Sequence, residues 1–359
     1  MNNINFAIIG FGGIARTHAI GAYAANLQLS LPYIINLKSI VSRKPLTNKI
    51  PPYGENILEI NEALSDKEID FIDICTPNDS HKEIVLKALK YGKAIYCEKP
   101  LSSNYKDAVE MTQAVEESGV KNAVALMYRY MPAFTLLKEE IQKGSIGEII
   151  DFKIKLYHKS YLDGNKKGGW RTEATSGGGA LMDLGVHLID AVHFTLGDID
   201  NVSCTTRVYF KDRTSVDEIA ECKFQLSNNI RGSLEVSRIF ADNEQHAAYV
   251  IYGTKGSIIL ESNKPYGIEI YSYENNMTIT KTKSDKSNLL EYYPSERGSL
   301  GFHQDCHMSS IVNVANMIAH NKAPELIPTF RDGLKAQRVL EAAYISAREN
   351  RIILIKDIK

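Results

Sequence analysis

The chain has 359 residues and a formal net charge of −1, and 44% of its residues are hydrophobic and 24% charged. These values are typical of a soluble globular protein, and the length suits two domains of roughly 150 residues each. The balanced charge argues against nucleic acid or an anionic membrane as a partner, and no apolar run is long enough to span a bilayer. The N-terminus has no basic segment before its first apolar run, so we expect no signal peptide.

Five cysteines are scattered along the chain and form no C-x-x-C pair, which favours reduced thiols in a cytoplasmic protein. They are Cys75, Cys97, Cys204, Cys222 and Cys306.

A glycine-rich turn follows the first predicted strand, Asn5 to Ile9. Its sequence, Gly10-Phe11-Gly12-Gly13-Ile14-Ala15, matches the G-x-G-x-x-(G/A) pattern and opens a helix that is predicted to reach about Leu29. In such a turn the glycines allow a tight bend and a close approach of the backbone to a pyrophosphate, which the helix N-terminus then binds. A tight strand-to-helix turn without a ligand is the alternative.

The second predicted strand, Leu37 to Val41, ends at Ser42-Arg43-Lys44 and has no acidic residue there. An acid at this position binds the ribose 2′-OH of NAD, whereas an arginine accommodates the 2′-phosphate of NADP. The sequence therefore favours NADP(H) over NAD, with Ser42 and Arg43 as phosphate contacts. A solvated basic loop is the alternative.

Strands and helices alternate up to about Met127, which predicts a parallel sheet covered on both faces. Two further strands end in short polar loops, Thr76-Pro77-Asn78 and Glu98-Lys99-Pro100. Because ligands bind at the carboxyl ends of parallel strands, we expect both loops to lie beside the glycine-rich turn.

Beyond Met127 a helix, Ala133 to Gln142, is followed mainly by strands with short turns, which predicts an antiparallel sheet. Asn228-Asn229 and residues 253–256 have the composition of hairpin turns. The predicted strands are 148–158, 201–210, 218–226, 230–237, 246–252, 257–261 and 267–273, with helices at 302–319 and 332–349.

Three consecutive glycines open the segment Gly177 to His187. Asp183 and His187 are four residues apart and would share one face of a helix, and Gly185 between them suggests the close approach of a ligand. A carboxylate beside an imidazole suits proton transfer. An ordinary amphipathic helix is the alternative. Asp183 and His187 could also be two ligands of a metal ion, but the sequence offers no convincing third ligand, so no metal is expected.

Taken in order, these motifs resemble the Gfo/Idh/MocA oxidoreductase family over nearly the whole chain. The residues that carry the resemblance are the glycine-rich turn, Thr76-Pro77-Asn78 with His81, Glu98-Lys99-Pro100, Arg129 with Pro132, Trp170-Arg171, and Gly177 to His187. Ser42 departs from the NAD-dependent members, which tend to have an acid there.

The resemblance implies an α/β fold, with a Rossmann dinucleotide-binding domain at 1–127 and an α+β domain at 128–359 that holds a large open, mainly antiparallel sheet. The C-terminal helix at 332–349 is a candidate for packing back on the first domain. Oligomers of the family often form through the sheet, so a homodimer or homotetramer is expected. The resemblance also implies a cis peptide between Lys99 and Pro100.

The family mostly oxidises or reduces sugars, inositols and related polyols with NAD or NADP. Carried over to this chain, its catalytic residues are Lys99, Asp183 and His187, which we expect to converge on one nicotinamide ring. The alternatives are a redox-assisted glycosidase or dehydratase of the same family, and a dinucleotide sensor or regulator without catalysis. The cofactor-binding set comprises Gly10, Phe11, Gly12, Gly13, Ile14, Ser42, Arg43, Thr76, Pro77, Asn78, His81, Glu98, Lys99, Arg129, Trp170 and Arg171. Tyr128, His303 and His307 are further candidates for the cleft.

Overall fold

The computed structural model describes residues 2–43, 55–57, 59–164, 172–241, 247–282, 292–320 and 326–359. The chain forms two compact units. The first consists of Met1–Ser102, Lys106–Tyr130 and Lys286–Leu334, and the second of Ser103–Tyr105, Met131–Asp285 and Lys335–Lys359. No helix within these described ranges has the length and hydrophobicity needed to cross a membrane.

The strands of the first unit are β1 (Asn2–Ile9), β2 (Tyr33–Val41), β3 (Glu55–Ile57), β4 (Phe71–Ile74), β5 (Ala94–Cys97) and β6 (Asn122–Val124). They form one sheet in the order β3-β2-β1-β4-β5-β6, and every neighbouring pair is parallel. The predicted parallel sheet is thus confirmed. The strand order changes direction at β1, and in such sheets dinucleotides bind outside the carboxyl ends of the strands at this point.

The helices are α1 (Gly13–Gln28), α2 (Ile60–Ser65), α3 (His81–Lys90), α4 (Tyr105–Ser118), α5 (Pro132–Gln142), α6 (Val186–Thr195), α7 (Phe302–His320) and α8 (Phe330–Glu349). Helix α1 is buried through a row of small side chains, and α7 packs closely against it. A Cβ added at Gly21 would lie 3.1 Å from the Met308 Cα, so glycine permits this approach. On the sheet, Phe6 and Phe71 stack with ring centroids 5.0 Å apart.

The strands of the second unit are β7 (Ile149–Tyr157), β8 (Ile199–Arg207), β9 (Ile219–Leu226), β10 (Arg231–Ser237), β11 (Ala247–Gly253), β12 (Gly256–Glu261), β13 (Gly267–Ser272), β14 (Met277–Thr282) and β15 (Ile353–Leu354). They form a sheet in the order β14-β13-β12-β11-β7-β10-β9-β8-β15. All pairs are antiparallel except β7 with β10, which are parallel. The mainly antiparallel sheet is confirmed; the parallel pair, β3, β14 and β15 were not predicted.

Alternation along β7 shows how this sheet is oriented. Phe152, Ile154 and Leu156 are buried, whereas Lys153 and Lys155 between them are exposed. Helix α5 covers the buried face at β12 and β13, and its Phe134 ring meets the ring of Tyr249 on the neighbouring strand β11 edge to face at 4.8 Å. One face of the sheet is therefore core, and the strands present lysines on the other face.

Candidate active site

The glycine-rich turn joins β1 to α1 and has the geometry of a phosphate-binding turn. Gly10 has a φ of +85°, and a Cβ there would lie 2.7 Å from Thr76 Cγ2, so the turn needs glycine and packs on the loop after β4. At Gly12 and Gly13 a Cβ would meet nothing within 4 Å. The first turn of α1 has no acidic residue and no side-chain cap. Its backbone N–H groups thus suit a diphosphate.

Ser42 and Arg43 follow β2 directly, and the Gly10 N–H donates a 2.9 Å hydrogen bond to the Val41 carbonyl oxygen. This bond brings the end of β2 to the glycine-rich turn. Ser42 is half-buried and Arg43 is exposed. Both residues therefore lie where the ribose of a dinucleotide on this turn would be read.

The loops after β4 and β5 are held together by His81, whose side chain is fully buried. Its Nε2 lies 3.0 Å from the Thr76 carbonyl oxygen, and its Nδ1 lies 3.1 Å from the Leu101 carbonyl oxygen. Asn78 is also buried, at 2% exposure. The two contacts of His81 thus join the loop after β4 to the loop after β5.

Glu98 and Lys99 follow β5, and the Lys99–Pro100 peptide is cis, as predicted. The Lys99 N–H donates to Glu98 Oε2 at 3.1 Å, while Glu98 Oε1 lies 3.1 Å from the Nε2 of His18 on α1. Lys99 is half-buried. The lysine thus follows a carboxylate that is fixed from two sides.

Arg129 and Tyr128 lie in a 3-10 turn at 127–130, and both are buried. The Arg129 guanidinium pairs with the Asp332 carboxylate at 2.9 Å. This pairing lowers the pKa of Asp332, although burial alone would raise it. Burial raises the pKa of Tyr128. Trp170 and Arg171 lie outside the described residues.

In the second unit, the segment 177–187 begins with left-handed backbone and continues as a π-helical turn at Leu181–Gly185 before α6. Asp183 lies in this π turn, which is wider than an α turn, and His187 lies in the first turn of α6. π turns occur often at functional sites. Asp183 is 5% exposed and His187 7%.

Two glycines of this segment, Gly179 and Gly185, make room for protein atoms, although the close approach of a ligand was expected at Gly185. Gly179 has a φ of +121°, and a Cβ there would lie 2.4 Å from Asp217 Oδ1. At Gly185 a Cβ would lie 2.7 Å from Leu181 Cδ1, inside the wide turn itself. The tight packing of the segment against its own unit explains both residues.

Two residues that contact this segment were not predicted. Arg238, which follows β10, forms a buried ion pair with Asp183, and its guanidinium lies 5.5 Å from the centre of the Tyr161 ring. Asp217 accepts the Leu181 N–H at 2.8 Å and the Tyr344 hydroxyl at 2.9 Å. Burial raises the pKa of Asp217 to about 6. Neither residue belongs to a sequence motif, so no signal in the sequence marks them.

His303 and His307 lie on α7, with ring centroids 4.7 Å apart. His307 is 2% exposed and contacts His18, with its Nδ1 3.1 Å from the His18 Nε2. His303 is exposed. The two histidines that the sequence groups as one candidate pair thus have different surroundings.

Comparison with known proteins agrees with this geometry. Residues 4–126 match a family described as "Oxidoreductase family, NAD-binding Rossmann fold". Residues 134–259 match the "GFO/IDH/MocA C-terminal domain".

Among individual relatives, a glucose-6-phosphate 3-dehydrogenase of Bacillus subtilis is 29% identical over 345 residues, covering 93% of each chain. A levoglucosan dehydrogenase of Pseudarthrobacter phenanthrenivorans is 27% identical over 292 residues, covering 72% of this chain and 74% of the relative. An inositol 2-dehydrogenase of Rhizobium meliloti is 24% identical and covers 98% of this chain and 99% of the relative.

A solved structure of levoglucosan dehydrogenase in complex with NADH superposes with a TM-score of 0.91 at 23% identity, covering 99% of each chain. This likeness shows the same fold. The two family matches cover residues 4–126 and 134–259, and they identify the chain as a member of the Gfo/Idh/MocA family of oxidoreductases.

Proposed function

We propose that this protein is an NAD(P)-dependent dehydrogenase that moves a hydride between the nicotinamide and a secondary alcohol of a sugar, inositol or related polyol. The observation that carries the proposal is the Glu98-Lys99-Pro100 loop at the carboxyl end of β5, on the same sheet as the glycine-rich turn. Relatives named as dehydrogenases of glucose 6-phosphate, levoglucosan and inositol support the substrate class.

Oxidation of a secondary alcohol releases a hydride from carbon and a proton from oxygen. A bound nicotinamide dinucleotide supplies the hydride acceptor, and the hydroxyl proton must go to a base at the same time. We assign that role to His187, because imidazole titrates near neutral pH. The Lys99 ammonium stabilises the charge that develops on the oxygen. Asp183 orients His187, and its own charge is balanced by Arg238. In reduction His187 gives the proton to the carbonyl oxygen as the hydride adds to carbon, which forms the alcohol.

The residues of the first unit fit a dinucleotide. The open positions at Gly12 and Gly13 leave room for the pyrophosphate. We propose NADP(H) as the preferred coenzyme, because Ser42 and the exposed Arg43 stand where an acid would read the ribose 2′-OH of NAD. Titration of the protein with NADPH and NADH tests this preference. We expect Arg43→Ala to weaken NADPH more than NADH, and equal weakening of both would contradict the assignment.

We further propose that the protein is cytoplasmic and that its copies associate through the sheet of the second unit as a homodimer or homotetramer. Two strands support a role for the sheet in assembly: β7 has exposed side chains on one face, and β14 is exposed along most of its length. Sedimentation equilibrium at micromolar concentration tests the assembly, and a monomer there would contradict it.

The experiment that tests the proposed function is a screen of inositols, aldoses and ketoses with both NAD and NADP, read as a change in coenzyme absorbance. We expect turnover with at least one cyclic polyol or sugar. Tight copurifying coenzyme, with hydrolysis or dehydration and no net coenzyme reduction, would replace the proposal with a redox-assisted lyase or glycosidase.

A further inference from the structure

A cluster of ionisable side chains is buried in the first unit and has no part in the chemistry proposed above. His18 of α1 lies at its centre. The His18 Nδ1 is 2.9 Å from Asp73 Oδ2, and the Nε2 is 3.1 Å from both Glu98 Oε1 and His307 Nδ1. His18 and Asp73 are fully buried, and Glu98 is 5% exposed. The cluster therefore contains two carboxylates that are shielded from solvent.

The contacts of His18 determine its protonation. The Nδ1 of His18 must carry a proton, because it faces the carboxylate of Asp73, which only accepts hydrogen bonds. A proton on the Nε2 is stabilised by the negative charge of Glu98 Oε1, which lies 3.1 Å away. A neutral imidazole would turn a lone pair towards either Asp73 or Glu98 and remove one of the cations beside two buried negative charges. Burial alone would lower the pKa of His18, but the charge of Asp73 and its hydrogen bond raise that pKa well above the usual value. Contact with His18 likewise lowers the pKa of Glu98, against the effect of burial.

Two further groups that contact His18, the Cys75 thiol and the Tyr96 hydroxyl, are neutral. The Cys75 Sγ lies 3.5 Å from the His18 Nδ1, and the Tyr96 ring stacks on the imidazole at 5.2 Å. Burial raises the pKa of both. Groups from two strands, the loops after them and one helix face His18. The sheet and its loops provide Asp73 on β4, Cys75 just after β4, Tyr96 on β5 and Glu98 just after β5. Helix α7 provides His307, with His303 one turn earlier. One imidazolium and the adjacent Lys99 ammonium thus balance the two carboxylates.

The same carboxylate links two functional elements. Glu98 presents Oε1 to His18 and accepts the Lys99 N–H with Oε2. His18 lies on α1, five residues after Gly13, where the helix begins at the dinucleotide turn. A charged contact therefore connects the helix of the glycine-rich turn to the backbone of Lys99.

We propose that His18 is a positioning residue: a permanently protonated imidazole, shared by Asp73 and Glu98, that fixes the Lys99 loop to the dinucleotide-binding helix. The proposal rests on the function proposed for Lys99. Loss of the cation would free Glu98 to turn or to take up a proton, and the lysine would lose its fixed backbone. Misplacement of a catalytic group by about 1 Å can reduce turnover by about 100-fold.

The test compares His18→Gln with Tyr96→Phe. The second variant removes the 2.6 Å hydrogen bond between Tyr96 and Ser310 in the same core layer and leaves the charges in place. We measure the free energy of unfolding by denaturant from pH 6 to 9. A histidine whose folded pKa is raised contributes stability that is complete below about pH 6.5 and is lost as pH rises towards the folded pKa. Folding of the wild type at pH 7.5 should then take up about one proton more than folding of His18→Gln.

Tyr96→Phe should retain this proton uptake even if it is less stable. For turnover, we expect His18→Gln to lose about 100-fold in kcat with little change in dinucleotide affinity. Equal proton uptake in the wild type and His18→Gln would overturn the protonated state. A lower uptake with unchanged kcat would overturn the positioning role. If no substrate turns over in any form, the proposed function fails, while the proton measurement still decides the charge of His18.

Two measurements on the wild type complete the test without relying on a variant that folds. Nitrogen NMR of histidine-labelled protein should show one imidazole with both nitrogens protonated at pH 8, and its absence would overturn the proposal. His18, Glu98 and His307 also place three metal-ligand atoms within 4.8 Å of one another. A metal ion on the His18 Nε2 would replace the proton. Metal analysis should therefore find no metal ion bound by these three residues at a ratio of one per chain.

Discussion

Asp183 and Asp217 are buried carboxylates beside the same π turn, and their partners differ. Asp183 is paired with the Arg238 guanidinium, whereas Asp217 accepts hydrogen bonds from the Leu181 N–H and the Tyr344 hydroxyl. The contribution of a paired carboxylate to the free energy of unfolding depends on its counterion. The contribution of a buried carboxylate bound by neutral donors depends on pH, because burial shifts its pKa. The two residues therefore lead to different experiments.

Arg238→Met should leave the Asp183 carboxylate buried without its counterion. Breaking a buried pair in this way costs about 3–5 kcal/mol, so we expect a loss of that size in the free energy of unfolding. The double variant Arg238→Met with Asp183→Asn should recover most of the stability and none of the activity. Denaturant titration measures the first effect and coenzyme reduction the second. A single variant as stable as the wild type would show that the ion pair contributes nothing.

Asp217 should make stability depend on pH between about 4 and 6. Its pKa is raised from 3.8 to about 6 by burial, so the folded protein binds a proton in this range that the unfolded chain releases. The contribution is complete below the unfolded pKa and is lost as pH rises through 6, a change of about 3 kcal/mol. Asp217→Asn should lack this step. The unfolding free energy of both proteins, measured from pH 4 to 7, tests the prediction, which parallel curves would contradict.

At the scale of elements, a substitution in the β1–α1 turn should change dinucleotide binding without changing the stability of the fold. Gly12 has extended backbone with a φ of −86°, and a Cβ there meets nothing within 4 Å. Gly12→Val should therefore fold with nearly unchanged stability, because the side chain points into open space. The same side chain would occupy the space that a pyrophosphate needs.

We expect Gly12→Val to weaken dinucleotide binding by at least 100-fold, or about 2.7 kcal/mol. Calorimetry with NADH and NADPH gives the affinity, and the melting temperature gives the stability. Gly164→Val is the matched control, since a Cβ at Gly164 also meets nothing within 4 Å and the residue lies outside the turn. Binding by Gly12→Val as tight as that of the control would remove the turn from the proposed cofactor site.

The elements show where sequence reasoning works and where it fails. The strand–turn–helix at Gly10 was predicted because it depends on a few adjacent residues, whereas the cis peptide before Pro100 was predicted from the family resemblance. The π turn at 181–185 was predicted only as part of a helix, because α- and π-helical turns have apolar residues at similar spacing. The reason for Gly179 lies in Asp217, which is 38 residues away in the chain and invisible to a local pattern.

At the scale of the whole molecule, the order of alternating strands and helices was enough to predict the parallel sheet. Pairing within the second sheet was not predictable, since alternation of buried and exposed residues is the same in parallel and antiparallel strands. Strands β7 and β10 are parallel although their neighbours are antiparallel. For the same reason Arg238, at the end of β10, had no sequence signal that linked it to Asp183.

Both the family resemblance and the proposed chemistry assign a catalytic role to Lys99. The most direct measurement is the turnover of Lys99→Met beside its affinity for coenzyme, with the best substrate of the polyol screen. Removal of one group that stabilises a developing oxyanion costs about 100-fold to 1,000-fold in kcat, so we predict a loss of that size with coenzyme affinity unchanged. Unchanged turnover in Lys99→Met would contradict the account.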